Sequence, residues 1–187
     1  LGAFTSDGLT LNDDDALSLA GAVSGGTGLV TLKASGAGAT LTLGANNVSG
    51  TGVTLEGVGV TQSSGSTVKA GSGAILVNGG DGTIDMAGAL TTTSDAATAA
   101  TGENATTVEL PAITTGSTGT TTIGVAGDTA GAVTQSPSTV ISTGTLTGDA
   151  TGSVNLGSPN TNAVPTLGAF TSGGFVLNDS DSLSLTG

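Results

Sequence analysis

The residues of this chain that could do chemistry are acidic. Asp13 and Asp15 lie in "NDDDA" (12–16), and Asp179 and Asp181 lie in "NDSD" (178–181). Clustered carboxylates are the oxygen ligands that Ca²⁺ takes. The same residues at a strand end also form Asx turns with their charges in water. The sequence leaves both readings open. Asp81 and Asp85 alternate in "GGDGTIDMA" (79–87), either as a carboxylate pair or as turn formers beside glycine.

"GGDGTID" is similar to the calcium-binding nonapeptide repeat, but it occurs once, and Ile84 stands where that repeat has Asp. Glycan-cleaving solenoids set clustered carboxylates beside Arg or Lys. This chain has no Arg and no His, and its two Lys, Lys33 and Lys69, are far apart in sequence. No catalytic residue is therefore assigned, and the chain is not expected to be an enzyme. The Thr runs 91–93 and 120–122 raise a third possibility, a water-ordering array. That needs Thr-x-Thr on every turn, which only some segments supply, such as "TLT" at 40–42. The sequons at Asn47, Asn104 and Asn178 are formal sugar acceptors.

The elements that would position these residues follow from composition. The 187 residues include 34 Gly and 35 Thr, with no Trp, Tyr, His or Cys. Gly and Thr are poor helix formers, and no window has an apolar stripe at helical spacing. A hydrophobic fraction of 36% and a mean hydropathy of +0.30 are too high for a solvated coil. Apolar residues alternate in "LVTLKASGAGATLTL", "VTLEGVGV" and "TTVELPAI", the period of half-buried strands. Almost no helix is expected.

A net charge of −12 with two Lys excludes the counterion release that nucleic-acid binding requires, and excludes attraction to anionic lipid. No run is long and apolar enough to span a bilayer as a helix. The absence of Cys suits export of an unfolded chain. The first residue is Leu1 and the single Met is Met86, so the chain is expected to be part of a longer molecule.

Internal repetition decides between strand architectures. Residues 1–21, "LGAFTSDGLTLNDDDALSLAG", return as 167–187, "LGAFTSGGFVLNDSDSLSLTG", with 15 of 21 positions identical. Residues 1–166 thus read as one long repeat and 167–187 as the start of the next. Turn signals cut the long repeat into 1–21, 22–44, 45–65, 66–88, 89–112, 113–138 and 139–166. Strands this short bury an apolar face by coiling, so that each turn pairs with its neighbours. A β-sandwich would not explain short units nested in a longer one. The expected fold is all-β, a right-handed parallel β-helix (β-solenoid) of about seven to eight coils of 21–28 residues. Seven coils at about 4.8 Å each make a repeat roughly 34 Å long. Phe4 and Phe170 are expected at equivalent places, Thr outward, and Asn12, Asn46, Asn78 and Asn155 near turns, bonding along the stack.

Three stretches carry a family likeness: "GVGVTQSSGSTVKAGS" (57–72), "AVTQSPSTVISTGTLTGDATGSVNLG" (132–157) and "AVPTLGAFTSGGFVLNDSDSLSLTG" (163–187). With them the chain resembles the repeat region of filamentous-haemagglutinin-like proteins, large bacterial exoproteins of the two-partner-secretion and autotransporter kind. The resemblance implies a rod or stalk of a secreted or surface-anchored Gram-negative adhesin or extracellular filament, acting in adhesion or in biofilm and matrix assembly. Its implied partners are further repeats, copies of itself end to end, or host and matrix glycans. The alternative is a repeat module that binds Ca²⁺ or glycan. No other cofactor is expected.

Overall fold

The computed structural model describes residues 1–157 and 161–187. Among them there is no helix, and the strands fall into three parallel ladders. The chain winds through a first, a second and a third face in turn, about eight times, as a β-solenoid. Among the described residues the single antiparallel pairing is the isolated bridge Val125–Asp128.

The register explains why a chain so poor in bulky side chains folds. The inward ranks of the first and third faces stack apolar on apolar. On the first face the inward rank is Phe4, Val23, Val48, Val68, Leu90, Ile113 and Ile141. On the third it runs Leu17, Leu41, Val60, Ile84, Val108, Val133, Val154 and Phe175. Nearly all of these side chains are buried, and each contributes about 1.5–3 kcal/mol on leaving water. The core is thus a set of aliphatic columns along the axis.

The predicted cuts at 22, 45, 66, 89, 113 and 139 fall within three residues of the first-face strands Val23–Ser24, Val48–Gly50, Thr67–Ala70, Ala89–Thr91, Ala112–Thr114 and Ile141–Ser142. The strands Ile75–Met86 and Ala100–Leu110 run unbroken from the second face to the third and weld those faces into one sheet.

Coils meet at corners where backbones come close. A Cβ on Gly131 would collide with the Thr106 carbonyl, so only glycine fits there. Asx side chains staple corner to corner: Asp7 Oδ1 accepts the Thr27 N–H at 3.0 Å, Asn47 Oδ1 that of Thr67 at 2.8 Å, and Asp95 Oδ1 that of Thr118 at 2.9 Å. The repeated "VTQS" has a structural reason. Gln62 and Gln135 each turn inward at a corner and donate Nε2 to the carbonyl four residues on, Ser66 and Thr139.

Three expectations need correction. Phe4 and Phe170 are not equivalent: Phe4 lies on the first face and Phe170 on the second, its ring 4.7 Å from that of Phe175. The cause is coil length. Thr5 leads by successive pairings to Ala163, 158 residues on, after seven coils. The sequence repeat is 166 residues, so its second copy starts one face further round. Thr is not always outward either. Thr92, Thr121 and Thr143 are buried, because their hydroxyls bond to backbone carbonyls and to one another. Finally, only some of the named Asn bond along the stack. Asn46 donates to Leu19 O of the preceding coil at 2.9 Å, whereas Asn155 accepts from Gly157 of its own coil and Asn12 is exposed. Asn162, fully buried, was not anticipated. It ties Gln135 Oε1, Leu156 O and Asn178 O together.

Candidate functional site

The acidic pairs singled out in the sequence lie at opposite ends of the rod. Asp13 Oδ1 accepts the Asp15 N–H at 3.1 Å, an Asx turn that leads the chain off the second face. Asp14 Oδ1 takes the Ser35 hydroxyl at 3.0 Å. Asp179 Oδ1 accepts the Val164 N–H at 2.9 Å, while its Oδ2 is buried without a partner among the described residues. Asp181 is exposed. The two pairs therefore do not combine. Among the described residues no three acidic side chains converge as a metal-holding group.

Asp81 and Asp85 share the strand Ile75–Met86 but not a site. Asp85 points out from the third face beside Glu109 of the next coil, and Glu109 Oε1 accepts the Ser136 hydroxyl at 2.7 Å. Asp81 sits on the corner between the second and third faces with φ 65°.

The outer ranks of the second face are the most regular surface. One rank reads Thr10, Thr31, Thr54, Leu76, Thr101, Thr122 and Thr147. The rank beside it begins Asn12, Lys33, Glu56, Asn78 and Glu103. The Thr rank has charge and amide as its neighbour, so this face is not a Thr-x-Thr array. Lys33 Nζ lies 2.7 Å from Glu56 Oε2, both partly exposed, a pair worth at most about 1 kcal/mol. Asn78 Nδ2 donates to Glu103 Oε1 at 3.2 Å, and Asn78 Oδ1 accepts the Gly80 N–H at 2.9 Å. Burial pushes the Glu103 carboxyl above its ordinary value, and the charges of Asp128 and Glu56 push the same way against the Asn78 bond.

At the end of that rank the corner opens into a groove of about 310 Å³. Asp81, Asn104, Thr106, Thr129 and Thr151 line it over a glycine floor. In the sequence Asn104 stands out only as a sequon, and Asp128 and Thr129 belong to no motif. A signal existed: Asp81, Asn104 and Asp128 follow one another at intervals of 23 and 24 residues, one coil each, and so stack on one corner. Of the other sequons, Asn47 is exposed with its Oδ1 engaged by Thr67, and Asn178 is half-buried.

No family model matches this chain, and neither the curated proteins nor the solved structures give a match.

Proposed function

We propose that this chain is a structural segment of a rod: part of a secreted or surface-anchored bacterial adhesin or extracellular filament, serving adhesion or matrix assembly. The observation that carries the reading is the parallel pairing that continues from coil to coil on three faces through about eight coils, across local register shifts such as those at Asn78–Thr83 and Leu146–Gly148. Each coil is templated by its neighbour, so length is added without a new core. A further repeat, or the first coil of another copy, would extend the same ladders. The residues described above carry no catalytic assignment. The likeness to filamentous-haemagglutinin-like repeats supports the same role.

The test is location. Antibodies against the purified chain should label the outer surface or matrix of intact producing cells. Labelling that requires permeabilised cells would overturn the proposal.

A further inference from the structure

The corner groove is preformed. Among the described residues only three non-glycine residues have positive φ, and two of them, Asp81 (65°) and Asn104 (53°), line this groove. Asp and Asn reach left-handed backbone more readily than other non-glycine residues, and neighbouring coils fix Asn104 there: its N–H donates to Asp128 O at 3.0 Å, and its Nδ2 donates to Asn78 Oδ1 at 3.4 Å. The walls are tied as well. Thr106 Oγ1 donates to Gly82 O at 3.1 Å and Thr151 Oγ1 to Ala130 O at 3.4 Å. Each hydroxyl has spent its proton and keeps oxygen lone pairs for a ligand. A groove held this way loses little entropy on binding.

Its chemistry selects a ligand class. The Asp81 carboxylate is exposed and makes no hydrogen bond or ion pair among the described residues. Glu103 and Asp128 adjoin the groove in sequence, each next to a lining residue, and their charges repel each other. No Lys is near: Lys33 is held by Glu56, and Lys69 lies on the first face. An anionic glycan would meet only repulsion. A neutral one would gain no charge-assisted contact at Asp81. The groove has no aromatic ring, so recognition must come from hydrogen bonds and charge.

We propose that this groove binds a glycan bearing free amino groups, with an ammonium at Asp81 and sugar hydroxyls on Asn104, Thr106 and Thr151. This goes beyond the rod's structural role and stands apart from it, since a rod with an inert corner would be just as long.

The experiment titrates the purified chain with a hexamer of glucosamine and, separately, with the fully N-acetylated hexamer, following backbone amides by NMR. The amino form should bind, moving the amides of Asn104, Thr106 and Thr129, and should weaken with added salt. The acetylated form should bind about tenfold or more weakly, as expected for loss of one charge-assisted contact. Asp81→Asn should lose about the same factor. Asp81→Gly, which suits positive φ and so protects the fold, should match it. Asp85→Asn makes the same charge change outside the groove and should leave affinity unchanged. Equal binding of both hexamers, no binding, shifts spread over all three faces, or equal losses at Asp81 and Asp85 would each overturn the proposal.

Discussion

Coils two to four and coils five and six share one backbone pattern but have different interiors. On the inner second face the earlier coils stack Val30, Val53 and Ile75, beside Leu32, Leu55 and Val77. The next two coils put Ala100 and Thr121 in the first column and Gly102 and Ile123 in the second. A Cβ on Gly102 would meet nothing within 4 Å, and an apolar void of about 10 Å³ lies there among Val77, Met86, Ala100 and Ile123. At the adjoining corner, Thr121 Oγ1 donates to Thr143 Oγ1 at 3.1 Å and Thr143 Oγ1 to Gly119 O at 2.9 Å. The ladder tolerates both interiors, because backbone pairing does not depend on what fills the column. Stability should therefore be graded along the rod.

Five substitutions test that contrast. Leu55→Ala, at a fully buried position, should cost about 3 kcal/mol in urea unfolding, well above Thr121→Ala in the same assay. Equal costs would show that the two interiors are not different. Thr143→Val leaves the buried Thr121 hydroxyl without its acceptor and should cost about 2 kcal/mol. Combining it with Thr121→Val should cost less than the two separate losses together, and strict additivity would argue against a shared network. Gly102→Ala should stabilise by about 0.5–1 kcal/mol, by filling space and stiffening the unfolded chain. A lower midpoint would mean that the void is not there.

The smallest effects are those of pH, and they run in opposite directions. Thr27 donates to Asp7 from its hydroxyl and its N–H, which holds the Asp7 carboxyl below its ordinary value. Its stabilisation is present above the ordinary carboxylate range and is lost as pH falls through the lowered value. Glu103 is raised. Its folded form favours the proton, so its contribution is present in acid and lost as pH rises through the raised value. Glu103→Gln should therefore raise the neutral-pH midpoint slightly, by less than about 0.5 kcal/mol, with no gain in acid. Asp7→Asn should flatten the acid limb of the stability curve. The same shift from both variants, measured by melting at several pH values, would contradict the assignment.

Much of this architecture was legible in the chain itself. Period-two alternation and glycine corners located the strands, and the Val and Leu of each segment became the columns. What sequence could not supply was the neighbour across coils. Paired residues lie 18 apart between Leu167 and Leu185 but 28 apart between Ile113 and Ile141. Facing partners therefore cannot be counted off by a fixed step. This hid the cross-coil partners of the buried Thr hydroxyls.

The mismatch between 158 residues per seven coils and 166 per sequence unit has a geometric outcome. Wherever such units follow one another, each is indexed a side further about the long axis than the last. Any feature fixed to the unit then climbs the shaft like the thread of a screw. A fibre of this kind would offer its binding corners to every direction in succession, instead of aligning them along one edge.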